Sequence, residues 1–227
     1  MQIDFEIPPF FREITPATEE QDARAAVADR AAGHLSELSA EHFEELVSGY
    51  QLASSLIETG GVVYAATCLG TVHGELSAGT LTVAVHPLVY TDPGLAAAGI
   101  ARITSERGGD DIAAEVLDLP CGPVAVTVRQ TLAMTIPAEF AESGHDTPIE
   151  AAQLQAYIAA PEDQELITVT FTTTSTRHWE EYCVIVAEFL RSIRLVSAEA
   201  GPAPSAPDTP TTVAASAQAA GAASPFG

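Results

Sequence analysis

The sequence predicts an α+β fold, a mainly antiparallel sheet of about six strands packed with four helices as an α/β/α sandwich. Three observations carry this. Apolar residues before residue 60 recur at helical spacing, and most of those from residue 62 onward recur at every second position. The segments run helix, helix, strand, strand, helix, three or four strands, helix, with few of the crossovers that a parallel sheet needs. After residue 196 no apolar period survives, and five of the fifteen prolines sit there among Ala, Ser and Thr. The 227 residues therefore divide into one domain over 1–196, with a helical pair at 15–58 and sheet and helices at 61–196. The Ala/Pro-rich tail at 197–227 is expected to be disordered.

Taken in order, Ile3, Phe5 and Ile7 alternate with acids and predict a short edge strand closed by Pro8 and Pro9. Thr15-Pro16 predicts a helix start, and Val27, Ala31, Leu35 and Leu38 its buried stripe. Ser39 is placed to cap a second helix, with Leu38 and Phe43 as a hydrophobic staple. Phe43, Leu46, Val47, Tyr50 and Ile57 form its apolar face, and Gly60-Gly61 its end. Val62–Leu69 and Leu76–Val85 predict a strand pair joined at His73-Gly74. Asp92-Pro93 opens a third helix carrying Leu95, Gly99 and Ile103, stopped at Gly108-Gly109. Glu115–Leu119 predicts a strand, and Pro120-Cys121-Gly122-Pro123 a turn whose glycine supplies the unusual backbone angle. Over 124–136, Val124, Val126, Val128, Leu132, Met134 and Ile136 are expected on one face, with Thr127, Arg129, Thr131 and Thr135 on the other. Two further strands fall near 151–159 and 166–173. A last helix over about 177–195 turns Trp179, Cys183, Val186, Leu190 and Ile193 inward.

Charge narrows the function classes. The chain has 31 acidic and nine basic residues, every basic one an arginine, for a formal charge of −22. Only Glu199 and Asp208 of the acids follow residue 196, which leaves −20 on the domain. Nucleic-acid affinity comes from neutralising phosphates with Lys and Arg, so this balance argues against DNA and RNA, and likewise against anionic membrane surfaces. No apolar run reaches the ~18 residues of a membrane span, and the first residues lack a basic, then apolar, leader. Three widely spaced cysteines suit free thiols in a reducing compartment. The expected location is cytoplasmic, and the expected partner is a protein, a basic one being suited to this charge.

The last third carries a resemblance. Leu154-Gln-Ala-Tyr-Ile-Ala-Ala-Pro161 leads into Leu166-Ile-Thr-Val-Thr-Phe-Thr-Thr173, and Trp179-Glu-Glu-Tyr182 opens a helix that closes with Phe189-Leu-Arg-Ser-Ile-Arg-Leu195. A strand ending in Phe-Thr-Thr, a short loop and a helix ending in Ser-Ile-Arg resembles the PsbP-like α/β/α fold, in particular small actinobacterial proteins of the LpqN type. The resemblance spans about 60–196 and implies a scaffold rather than an activity. The acidic helices before residue 60 depart from the smaller family members.

The sequence offers no catalytic, cofactor or metal constellation. There is no C-x-x-C or H-x-x-x-H pair for zinc, no Gly-rich phosphate loop and no G-x-S-x-G elbow. Cys183 and His178, five apart on the last helix, are weak candidates for a thiolate pair, since Cys183 falls on the apolar stripe. Cys121, in its turn, is expected to be the more exposed thiol. Arg129 interrupts a small-residue face and can hold a carboxylate of a ligand or of the protein itself. Glu37, Glu41, Glu44 and Glu45 form an acidic helical surface suited to a partner. The function expected is a non-enzymatic protein-interaction module, an adaptor or accessory subunit of a larger bacterial assembly such as a secretion or envelope system. The alternatives are a small hydrolase using Cys121 or a His/Asp pair, and a small-ligand binder using the Thr/Arg129 sheet face.

Overall fold

A seven-stranded, wholly antiparallel sheet organises the molecule in the order β2-β3-β4-β8-β7-β6-β5. Its strands are β2 (Phe11–Glu13), β3 (Val62–Val72), β4 (Glu75–Pro87), β5 (Ala113–Leu119), β6 (Gly122–Ile136), β7 (Thr147–Ala160) and β8 (Glu165–Thr173). The helices are α1 (Glu20–Arg30), α2 (Ala40–Thr59), α3 (Pro93–Gly108) and α4 (Trp179–Ser192). The structure is a computed structural model and describes residues 2–14, 20–32, 39–59, 61–108, 111–138, 143–160 and 164–196. The tail at 197–227, Thr15-Pro16, Leu35, Glu37 and Leu38 lie outside the described residues, as do the side chains of Glu41 and Glu45.

The α+β class and the antiparallel sheet are as the sequence predicts, with one strand more. The extra strand is β2, three residues long, paired to β3. The expected N-terminal edge strand at Ile3–Ile7 is replaced by β1 (Gln2–Asp4), which pairs with β9 (Arg194–Val196) in a separate two-stranded sheet. The last helix is correspondingly shorter than predicted, because Ile193 turns extended and feeds β9. Chain ends that look like independent edges in sequence satisfy each other's backbone groups in space.

Local signals set the element ends. Ser39 Oγ accepts from the His42 amide at 3.1 Å, and Asp92 Oδ1 from the Leu95 amide at 2.8 Å, so both caps work as the spacing predicts. His73 and Gly74 both have positive φ, +52° and +81°, the geometry of a two-residue hairpin turn. Gly122, at φ +112°, supplies the left-handed residue of the turn between β5 and β6.

The two sheet faces are covered differently. One face, here the α4 face, carries the main core. Ala66, Leu81, Phe171, Leu154 and Val128 form one transverse row of it across five strands. Trp179, Tyr182, Ile185, Val186, Phe189 and Leu190 of α4 close over this face, and Phe5 wedges between Tyr64 and Phe189 with ring centroids 5.1 and 5.2 Å away. This differs from the predicted stripe: Tyr182 is wholly buried, whereas Cys183 is half-buried at its margin. The Tyr182 hydroxyl has polar partners inside, so the larger ring can take the central position.

On the opposite face α1 and α2 pack through Val27, Val47, Tyr50 and Ala53 onto Ala65 of β3, with Phe43, Leu46 and Ile57 as their partly buried flank. The predicted apolar face of α2 is thus the packed one. At the other end α3 sits on β5, β6 and β7 through Ala97 and Ala101, against Ala125, Ala114 and Tyr157. Here the predicted stripe is corrected: Leu95 is 70 % and Ile103 44 % exposed. A helix that meets a sheet face made of alanines packs closest through its own alanines, and the bulkier side chains turn away.

A second correction concerns β6. Its register with β7 slips between Arg129 and Leu132, placing one extra residue in β6. A one-residue bulge reverses the alternation that follows. Val124, Val126 and Val128 therefore face α4, while Leu132, Met134 and Ile136 share the side of Arg129, Gln153 and Ala151. The six apolar residues do not form one face.

Candidate functional site

Between the helical pair over β3 and α3 over β5–β7, the floor of the open face is polar. Register places Arg12, Thr67, Thr80, Thr172, Gln153 and Arg129 in a single row across six strands. A neighbouring row runs Ala65, Thr82, Thr170, Gln155, Thr127 and Ala114. At about 4.8 Å per strand the first row spans roughly 24 Å between its two arginines. The threonines of β4 and β8 at these positions are neither buried nor fully exposed. Gln153 Nε2 donates to Thr172 Oγ1 at 3.2 Å, and Gln155 Nε2 to Thr170 Oγ1 at 3.4 Å, so the carboxamides lie flat along the rows. Among the described residues the Thr67 hydroxyl is buried without a hydrogen-bond partner. No Asp or Glu stands in this floor over β3, β4, β8 and the paired parts of β7 and β6.

Arg129 closes the row beside β7. It is half-buried, and among the described residues it makes no ion pair. The Tyr157 phenol donates to Gln155 Oε1 at 2.9 Å and also bonds the Thr127 side chain. Burial pushes that phenol up, and the Thr127 bond and the Arg129 charge pull it back. The expectation that Arg129 sits on a Thr-lined, partly covered face is met. The alternative expectation, a salt bridge to a nearby acid, is not seen among the described residues.

Of the expected acidic helical surface, Glu44 is the one residue whose side chain is described. Glu44 is spent within the protein: its two carboxylate oxygens accept from both terminal nitrogens of Arg24, at 2.5 and 2.7 Å, which ties α2 to α1. The Arg24 bonds hold the Glu44 carboxyl below the usual carboxylate range. Arg24 also pairs with Glu20 one turn away. A carboxylate engaged in a forked pair is a poor handle for a partner.

A buried polar chain on the α4 face was not foreseen. His178 Nδ1 lies 3.0 Å from Ser77 Oγ, which lies 2.8 Å from the Tyr182 hydroxyl, and the Cys68 thiol is 3.7 Å beyond. At the outer end Glu75 lies 3.8 Å from His178 Nε2 and bonds Arg177 at 2.5 Å. Ser77 and His178 are 1 % and 4 % exposed. A serine nucleophile needs a substrate carbonyl within reach, and here the Ser77 hydroxyl is already held by Tyr182. The chain works as a polar staple between β4 and the start of α4. Its members lie about a hundred residues apart, so no local signal exposes it.

The thiols correct two further expectations. Cys121 is buried, not exposed, and burial pushes its thiol up, out of the range of an activated nucleophile. Burial drives Cys68 up to about 12, and burial with Glu180 nearby raises Cys183. Among the described residues no histidine is hydrogen-bonded to Cys183, and His178 is bonded to Ser77. Among the described residues, no three His, Cys, Asp or Glu side chains gather as metal ligands, and no helix is long and apolar enough to cross a membrane.

A scan against protein-family models and a search of curated proteins found no match to this chain.

Proposed function

We propose that the chain is a non-enzymatic protein-interaction module, an adaptor or accessory subunit of a larger assembly on a PsbP-like scaffold. The observation that carries this is an unpaired strand edge beside an apolar helix surface. β5 ends the sheet, and its outer backbone groups have no partner strand among the described residues. Strand edges of this kind are templates for another chain. Leu95 and Ile103 on α3, which packs on β5, and Val116 on β5 itself are exposed large hydrophobics. The hydrolase alternative using Cys121 loses its support in the burial of that thiol.

The proposed docking region therefore moves from the Glu37, Glu41, Glu44 and Glu45 surface to α3 and β5. The test is photo-crosslinking in the native cell from a crosslinker at position 116, repeated with Leu95→Arg and Ile103→Arg. One defined adduct that disappears in the double variant is the expected result. The same adducts from both forms, or none above background, would end this reading.

A further inference from the structure

Independently of partner docking, we infer that the open sheet face is a binding site for a small organic carboxylate, gripped by Arg129 between β6 and β7. Five of the nine arginines are already used inside the molecule. Arg24, Arg102 and Arg177 hold carboxylates, and Arg30 and Arg194 hold backbone carbonyls. Arg12, Arg107 and Arg191 are exposed to water. Arg129 alone is half-buried with neither an ion pair nor a hydrogen bond among the described residues. Withdrawing a guanidinium from water without a counter-charge is costly, and in a chain with 31 acids a protein partner would be easy to supply. Instead no ion pair to Arg129 forms among the described residues, which leaves the guanidinium open to a counter-charge from a ligand.

A second observation points to the same place. The bulge of β6 begins directly after Arg129. Bulges re-aim a side chain and recur next to functional sites. Here the extra residue breaks the alternation along β6, so that on this face of the strand Arg129 is followed by Leu132.

The surroundings select the ligand class. A planar guanidinium matches a carboxylate through two parallel bonds. Gln153 and Thr172, half-buried next to it in the same row, add uncharged polar groups for the neutral part of the molecule. A single cation on this half of the row, in a protein of charge −22, disfavours polyanions such as nucleotides, which the surrounding field repels.

The test uses the full chain and sodium benzoate as the probe, with benzamide and inorganic phosphate as controls, read on the arginine Nε–H signals by NMR. Because the chain has no lysine and nine arginines, Arg→Lys variants assign the signals. Benzoate is expected to move the Arg129 signal saturably, with benzamide and phosphate leaving it in place. Arg129→Gln is expected to weaken benzoate binding at least tenfold while the thermal midpoint stays within a few degrees. Equal, unsaturated movement of Arg12, Arg107 and Arg191 overturns the site, as does no movement at all. Saturable phosphate binding without benzoate binding overturns the carboxylate assignment.

Discussion

The two faces of one sheet solve the problem of burial in opposite ways. On the α4 face the strands present large side chains, Phe171, Leu81, Ile158 and Tyr64 among them, and a single helix with six buried residues closes over them. On the other face the same strands present Thr, Gln and Ala, and the covering splits between α1 with α2 at one end and α3 at the other. The difference lies in side-chain volume. Bulky apolar residues hold a helix across the middle of the sheet. Small ones bring α3 close through Ala97 and Ala101 at the end where the floor is alanine, and they offer it too little apolar area where the floor is threonine. The closed face supplies stability; the open one keeps a polar surface between two walls.

The sharpest break of this comparison uses two adjacent residues of β8. Val169 is wholly buried on the α4 face, while Thr170 lies on the polar row. Val169→Asp is expected to cost several kcal/mol, at least about 4, and to abolish a folded state near neutral pH, because the carboxylate is buried without a partner. Thr170→Asp is expected to cost about 1 kcal/mol or less. Urea denaturation of both variants measures the gap, and equal damage would mean that the polar face is as tightly closed as the other.

Glycines sharpen it further. A Cβ at Gly79, on the α4 face, would lie 2.6 Å from the Phe171 ring and 3.3 Å from the Cys68 sulfur. Gly79→Ala is expected to destabilise by about 1–3 kcal/mol, as overpacking does. At Gly99 in α3 nothing lies within 4 Å, so Gly99→Ala is expected to stabilise by about 0.5–1 kcal/mol through helix propensity. A thermal-melt series separates the signs.

The smallest effect tests how the helical pair is fixed on the open face. The Arg24 bonds depress the folded pKa of Glu44 below its ordinary value of 4.5. The stability this carboxylate contributes is complete above that value and is lost as pH falls through the depressed one. Glu44→Gln is therefore expected to flatten the acid limb of the stability curve below about pH 4.5 and to leave its shape above pH 6 unaltered. An acid limb parallel to that of the wild type would show that the Arg24–Glu44 pair contributes nothing to folding, as surface pairs often do not.

Much of this architecture was legible because its causes are local. Ser39 and Asp92 cap their helices, His73-Gly74 and Gly122 make their turns, and the apolar face of α2 packs as its spacing requires. Each depends on residues within one turn or one strand of each other. The Thr/Arg129 face was legible in part: alternation placed Arg129 opposite Val128, and no alternation could place Arg12 on the same row. Other signals were misleading because they depend on a partner. Leu95 and Ile103 look like a core stripe until α3 meets a floor of alanines. Cys121 looks exposed until its turn is buried against Val124 and the rest of the core.

By itself the sequence determined the order of most strands and helices, that the sheet is antiparallel, and that the chain's charge is strongly negative. The tertiary structure alone decided which residues of β6 share a face beyond Arg129, through the extra residue that reverses the alternation there. It also decided that Ser77, His178 and Tyr182 meet, and that Glu44 is spent on Arg24 while Arg129 is left unpaired among the described residues. The physical reason is the same in each case. Caps, turns and periodicity are energies between near neighbours in the chain, whereas register, bulges and ion pairs are settled between segments that the chain brings together only once the sheet has formed.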